Sequence, residues 1–383
     1  MDQLRKFVAP EIVLGVGAID LSGRYARNLG ASKILLVSDP GVVSAGWPAK
    51  VLASLAAAKV AATVFTDISP NPRAEEIMLG VDHYDKENCD VIVAVGGGSP
   101  MDCAKGIGIV STNGRHILEY EGVDRVDIPG PPLICIPTTA GTASDVSQFA
   151  IITNRYEKTK IAVISKTVVP DVALIDPVTT TTMDTALTAA TGMDALVHAI
   201  EALVSSAGSP LTDLHALEAI RLICGNLPAV LRKPEDLDRR AMMVLGSLEA
   251  GLAFSNASLG AAHAMAHSLG GWGDLRHGEC KGILIDHVVR YNWSAAEQRY
   301  RRMGAAMGLA LAAQSSLEAR ETVAEALAEL KHALGIRQSL RDHGVAPADF
   351  PSLARNALRD PCMATNPLLP TQADIEALYE KAL

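Results

Sequence analysis

The chain has 383 residues, 49% of them hydrophobic and 20% charged, which is enough apolar material for two or three domains of roughly 100 to 200 residues and excludes wholesale disorder. Its 34 basic and 43 acidic residues leave a formal charge of −9, with no long basic run, so a nucleic-acid partner is not expected. Pro10, Glu11 and Asp20 interrupt the N-terminal apolar residues, no later stretch holds the ~18 uncharged apolar residues of a membrane span, and the six cysteines are scattered without a CxxC pair, so a cytoplasmic protein with reduced thiols and no membrane partner is expected.

Up to about residue 180, short β-rich runs alternate with helix-like stretches. Strands are predicted at Lys33–Ser38, Ala61–Phe65, Val91–Val95, Leu133–Ile136 and Val172–Ile175, with helices such as Ala45–Lys59 and Ala74–Tyr84 between them. This βαβ rhythm predicts a doubly wound parallel sheet covered by helices on both faces. From about Thr182, Ala- and Leu-rich segments at helical period follow one another: Ala186–Ser206, Asp213–Leu231, Arg239–Ala253 and Leu317–Leu334. The alanine-heavy stretch Ala305–Ala328 also reads as helix. The expected fold is therefore an α/β domain over residues 1–181 and an all-α domain over residues 182–383.

Val91–Val110 reads as a buried strand, then Gly96, Gly97, Gly98, Ser99 and Pro100, then a helix. Glycines there allow a ligand close to the backbone, and the N–H groups of the helix start favour an anion such as a dinucleotide pyrophosphate. A tight strand-to-helix turn without a ligand explains the same residues equally well. Asp39 closes the first predicted strand. A carboxylate there can bond ribose hydroxyls and repels a 2′-phosphate, which favours NAD over NADP, although a turn-initiating Asp before Pro40-Gly41 accounts for it too.

Six of the ten histidines fall in one stretch of the second half: His198, His215, His263, His267, His277 and His287. Asp194 and His198 are four residues apart on a strongly apolar helix, so both project from one face; His263 and His267 repeat that spacing on another, and His277 follows in a Gly-flanked loop. One carboxylate with two or three imidazoles suits Fe²⁺, Zn²⁺ or another borderline divalent ion. Spacing alone would take His267 into the set together with His263.

At this point the ordered motifs GGGSPMDCAK, IPTTAGTASDVSQFAII, DVALIDPVTT, TGMDALVHAIEALVSS, GAAHAMAHSLGG, the HG at His277 and DPCMATNPLLPTQADI identify a resemblance over nearly the whole chain. The chain resembles the iron-containing (group III) alcohol dehydrogenases. That resemblance implies a dinucleotide-binding α/β domain, a helical domain and an active site in the cleft between them, working with NAD and a divalent metal, Fe²⁺ first and Zn²⁺ second. It implies Asp194, His198, His263 and His277 as metal ligands, and it places His267 outside the ligand set, near the nicotinamide and substrate. Asp194, His198 and His267 are then the catalytic candidates. For the cofactor it implicates Asp39, Asn71, Gly97, Gly98, Ser99, Asp102, Thr138, Thr139 and Lys160, with Phe149 on the substrate side. It also implies a homo-oligomer, a dimer or larger.

The implied reaction is reversible oxidation of a small primary alcohol or diol to its aldehyde, with hydride transfer to NAD. Departures from the pattern concern the substrate. The loop after the last ligand usually reads roughly HGxxNAxLLPHV in that family and reads HGECKGILIDHV here, and Ala143 and Asp145 stand where Gly and Glu are usual. Lys281 is thus a candidate for meeting an anionic substrate group, or else for an ion pair with Glu279 or Asp274. A lyase or cyclase of the dehydroquinate-synthase type is the alternative enzyme class. It would need several basic residues converging on a phosphorylated substrate, and the sequence near the ligands offers mainly Arg276 and Lys281.

Overall fold

The computed structural model describes residues 6–157, 159–273, 275 and 277–383, and for His277 the backbone alone. The chain forms two compact units, Val8–Met183 and Asp184–Leu383, the second also taking in residues 6–7. The first holds nine strands among the described residues: β1 (Glu11–Leu14), β2 (Lys33–Val37), β3 (Ala61–Phe65), β4 (Val91–Gly96), β5 (Gly122–Val123), β6 (Leu133–Pro137), β7 (Phe149–Asn154), β8 (Thr159–Ile164) and β9 (Val172–Ile175).

Six of these strands make a sheet in the order β1-β9-β6-β4-β2-β3, and every pairing in it is parallel. Side chains alternate between its faces. Leu35 and Val37 of β2, with Ile92 and Ala94 of β4, enter one core with Ile77 and Val81 of the Ala74–Lys86 helix and Met101, Ala104 and Ile107 of the Gly98–Asn113 helix. Ile34 and Leu36, with Val91, Val93 and Val95, enter the other with Ala26, Val51 and Leu55 from the Ser22–Asn28 and Trp47–Ala57 helices. Burial on both faces is why these strands read as unbroken apolar runs rather than as alternating ones. The five predicted strands and the two predicted helices of this half are present, within two or three residues at their ends.

Four strands, β1, β5, β7 and β8, were not legible in the sequence. β1 is four residues at the sheet edge, and β7 and β8 form an antiparallel pair that, with β5, makes a separate three-stranded sheet. The chain steps from β2 to β3, then back across β2 to β4 and onward to β6 and β9. The direction of winding therefore reverses between β2 and β4, and the carboxyl ends of the strands at such a reversal are where ligands of doubly wound sheets bind.

The second unit is helical, and its helices begin where the sequence supplies caps. Asp184 accepts from Leu187 N at 2.7 Å to start the Thr185–Val204 helix. Ser209, followed by Pro210, caps Pro210–Arg232, and Asp236 caps Leu237–Ala257. The alanine-heavy stretch is not one helix: Gly308 takes φ 88°, the chain is irregular to Ser315, and Ser315 and Glu318 form a capping box that opens Ser316–Ala333. Terminating and capping residues outweigh alanine's propensity there. The Thr185–Val204 and Pro210–Arg232 helices are long and apolar enough to cross a membrane, but 89% of the apolar window of the first is buried within the protein, which is how a core helix behaves.

The His277–Ala306 helix crosses the Thr185–Val204 helix at Gly278, where an added Cβ would stand 2.1 Å from the backbone oxygen of Ala190. No backbone oxygen can yield that much, so Gly278 sets how closely the two helices approach. Gly278→Ala is expected to destabilise the fold by about 2 kcal/mol or more and to lower metal content as the helices separate. Thermal melts and metal analysis of the purified variant measure both, and unchanged values would show that the crossing tolerates the extra carbon.

Asp145 is buried in the loop after β6, and burial pushes its carboxyl up to about 6, against the lowering effects of a backbone hydrogen bond and of Lys105. The folded protein therefore keeps a proton there that the unfolded chain has lost, and stability from this group falls as pH rises from about 4 to about 6. The stability gain of Asp145→Asn over the parent chain should grow across that window, by up to about 3 kcal/mol. Melts of both proteins along a pH series test this, and a gain independent of pH would refute it.

Candidate metal and nucleotide residues

In the first unit, Asp39, Gly97, Gly98, Ser99, Thr138 and Thr139 of the residues implicated in cofactor binding lie at the carboxyl ends of β2, β4 and β6. Asp39 follows β2 and caps the short Pro40–Ser44 helix, its Oδ1 accepting from Val42 N at 3.0 Å. Gly97 follows β4 and caps the Gly98–Asn113 helix. Both glycines lie beneath the loop that follows β6: a Cβ on Gly97 would stand 3.2 Å from Thr139 Cγ2, and one on Gly98 would stand 3.0 Å from Thr142 Cγ2. The TTAGT loop thus packs directly on the glycine turn, which is a reason for glycine that the sequence did not reveal. Thr138 N donates to Gly96 O at 2.9 Å, tying loop to turn.

Ser99, Asn71 and Lys160 come together although they are far apart in the chain. Asn71 N donates to Ser99 Oγ at 3.2 Å, and Lys160 Nζ donates to Asn71 Oδ1 at 2.7 Å. Asn71 holds φ 61°, a left-handed conformation that Asn tolerates better than most residues. Asp102 is buried, and both of its oxygens are engaged within the unit: Ser144 Oγ donates to Oδ1, and Ile151 N donates to Oδ2 at 3.2 Å. It fastens the glycine-turn helix to the TTAGTASD loop and to β7. In that loop Ala143 takes φ 49°, so it carries the strain that the glycine usual at this position would avoid. Phe149 opens β7, buried, with its carbonyl accepting from the Lys105 ammonium at 2.7 Å.

In the second unit, Asp194 and His198 occupy one face of the Thr185–Val204 helix, and His263 and His267 lie on the Ala261–Gly273 helix. Asp194 Oδ1 is 3.9 Å from His198 Nε2 and 4.0 Å from His263 Nε2, and one donor atom from each of the three lies within 4.8 Å of the others. All three residues are buried. The His198 ring stacks on Phe254 at 4.3 Å and against His263 at 4.5 Å between centroids, which restricts its rotation. The backbone of His277 opens the His277–Ala306 helix, and its side chain lies outside the described residues.

Two carboxylates that the sequence reading missed hold the imidazoles. Glu201 lies two turns beyond Asp194 on the same helix and accepts from Ala262 N at 2.7 Å, from His263 N at 3.3 Å and from the His263 Nδ1 side. It therefore caps the next helix, where backbone N–H groups favour negative charge. It also turns the His263 ring so that Nε2 faces Asp194. Burial pushes its carboxyl up to about 7 despite those backbone donors. A carboxylate seven residues from Asp194 on an apolar helix was a signal the sequence offered.

Asp360 does the same for His267, its Oδ2 lying 2.7 Å from His267 Nδ1. Burial would raise the Asp360 carboxyl, but His267 and the Cys362 N–H hold it below its ordinary range. His267, Asp360 and Cys362 make a second group of buried or half-buried donors, separate from that around Asp194. Two further residues of DPCMATN anchor the start of the histidine helix: Asn366 Oδ1 accepts from Ala261 N at 3.1 Å, and Thr365 Oγ1 donates to Leu259 O at 2.6 Å.

Lys281 has a different partner from either expected one. Its ammonium lies 2.5 Å from Asp194 Oδ1, with both residues buried. An anionic substrate group, Glu279 and Asp274 are the partners the sequence allows, and Asp274 lies outside the described residues. Burial would raise the Asp194 carboxyl, but Lys281 and His198 together hold it below its ordinary range.

Residues 9–177 match the family described as iron-containing alcohol dehydrogenase, and residues 188–383 match the C-terminal part of the Fe-containing alcohol dehydrogenase family. The chain is 40% identical over 379 residues to a 1,3-propanediol dehydrogenase of Klebsiella pneumoniae, covering 98% of each protein. It is 37% identical to an NAD-dependent methanol dehydrogenase of Bacillus methanolicus, covering 98% of this chain and 99% of that one. A crystal structure of a 1,3-propanediol oxidoreductase superposes over the full length of both chains with a TM-score of 0.96 at 39% identity. With nearly every residue matched on both sides, the chain belongs to the iron-containing alcohol dehydrogenase family.

Proposed function

We propose that this protein oxidises a small primary alcohol or diol reversibly to its aldehyde, using a divalent metal, Fe²⁺ in the first place and Zn²⁺ in the second, and passing hydride to NAD. The observation that carries the reading is the buried donor set of one carboxylate oxygen and two imidazole nitrogens within 4.8 Å of one another, a mixture suited to such ions. Asp194, His198, His263 and His277 would hold the metal. Bound there, a divalent ion supplies Lewis acidity that lowers an alcohol's pKa or polarises an aldehyde carbonyl.

The chain's own residues do the rest. Glu201 and Phe254 fix the imidazole planes of His263 and His198. Asp360 holds Nδ1 of His267, so proton exchange with the substrate oxygen or solvent runs through Nε2. The N–H groups of Gly98 and Ser99 at the start of a long helix receive the cofactor pyrophosphate. Asp39, at the point where the winding reverses, binds the ribose hydroxyls and disfavours a 2′-phosphate. Asn71, Asp102, Thr138, Thr139 and Lys160 complete the cofactor side. The protein acts as a cytoplasmic homo-oligomer, a dimer or larger. A dehydroquinate-synthase type reaction is not favoured, because Lys281 is tied to Asp194 and the family match is to alcohol dehydrogenases.

The test is metal analysis on anaerobically purified protein combined with an alcohol and aldehyde panel, with NAD and NADP side by side. A bound divalent ion, or turnover restored by Fe²⁺ or Zn²⁺, with NADH formation favoured over NADPH, is expected. Protein that binds neither metal nor NAD and turns over no alcohol ends the reading.

His267→Ala is expected to lower kcat by about 10²–10⁴-fold without changing metal content, whereas loss of metal would make His267 a ligand. Asp360→Asn should lower kcat by about ten-fold, with KM and metal content little changed and partial recovery in Asp360→Glu, as befits a residue acting through the imidazole. Steady-state kinetics and metal analysis of the three variants decide the matter.

A further inference from the structure

The carboxylate oxygen that faces the two imidazoles also faces a lysine. Asp194 Oδ1 lies 3.9 Å from His198 Nε2, 4.0 Å from His263 Nε2 and 2.5 Å from Lys281 Nζ. The lysine reaches this point from the His277–Ala306 helix, one turn after His277, and little of it is exposed. A carboxylate buried to this degree is unstable without a positive partner. Here the chain supplies that partner itself.

Resting on the metal-site reading above, we propose that Lys281 competes with the metal. In the metal-free protein its ammonium neutralises Asp194. To bind, a divalent ion must take over Oδ1 and force the ammonium away from it. Two consequences follow from charge alone. The ion loses the advantage of meeting an uncompensated carboxylate, and it enters a space from which another cation repels it. This chain therefore binds a divalent metal more weakly than the same chain with an uncharged residue at position 281. Removing the lysine should also destabilise the metal-free protein, because it leaves Asp194 buried and unpaired, and the larger gain on loading follows from the same cycle.

The experiment is a Co²⁺ titration of the metal-free protein, followed by the visible d–d absorption of the ion, in the parent chain, Lys281→Met, Lys281→Gln and Lys281→Arg. Dissociation constants at least ten-fold lower in Lys281→Met and Lys281→Gln, with Lys281→Arg close to the parent, are expected. So is a larger rise in melting temperature on Co²⁺ loading in the two neutral variants. Equal or weaker binding in both neutral variants overturns the competition while leaving the metal-site reading standing. Absence of Co²⁺ binding in every protein overturns both. Should neither neutral variant fold, a crystal structure of the parent chain loaded with Co²⁺ decides: Lys281 Nζ withdrawn from Asp194 Oδ1 supports the proposal, and an ammonium still bonded to that oxygen beside the ion refutes it.

Discussion

A carboxylate inside an apolar helix needs positive charge or hydrogen bonds around it, and much of the helical unit is arranged to meet that need for Asp194. The Thr185–Val204 helix is buried along most of its length, so Asp194 cannot turn to water. Imidazoles of His198 and His263 and the ammonium of Lys281 surround one of its oxygens. The neighbouring helices are placed so that these groups can arrive: Gly278 lets the lysine-bearing helix lie against Ala190, and Glu201 docks the His263 helix by its N-terminus. Charge at the centre and close backbone packing at the periphery are one problem solved together.

The C-terminal segment belongs to the same solution. Asp360, Thr365 and Asn366 each bond to the His263–His267 helix or to the residues leading into it, and Asn366 exchanges a reciprocal pair of amide hydrogen bonds with Asn292 at 2.8 and 2.9 Å. A motif far from the histidines in sequence thus sets their orientation. Carboxylate-to-imidazole bonds recur at His263 and His267, with different effect. The first aims a nitrogen at Asp194, and the second leaves its ring outside that donor set.

Much of this is readable in the sequence. Runs such as ILLV and VIVAV, set in a βαβ rhythm, read as strands buried on both faces, and the i, i+4 placement of Asp194 and His198 put two donors on one face of the predicted helix. The same spacing also put His267 beside His263 and gave no reason to separate them. The family resemblance separated them, and in the structure Asp360, 93 residues on, holds His267 in a group of its own. The hairpin of β7 and β8 was missed because polar residues such as Asn154, Thr159 and Lys160 interrupt its apolar runs, and the alanine-rich stretch misled because propensity was weighed without the Gly308 stop and the Ser315 cap.

By itself the sequence determined the βαβ order, the switch to helices, the glycine turn and the residue types able to hold an ion, since these follow from periodicity, backbone conformation and ligand chemistry within a few residues. The tertiary structure decided which groups share a volume: that Glu201 and not a more distant acid steers His263, that Gly97 and Gly98 lie under Thr139 and Thr142, and that Lys281 spends its charge on Asp194. Such outcomes depend on distances between segments that no local rule fixes, because they arise only when whole helices and loops are packed to the density of a protein interior.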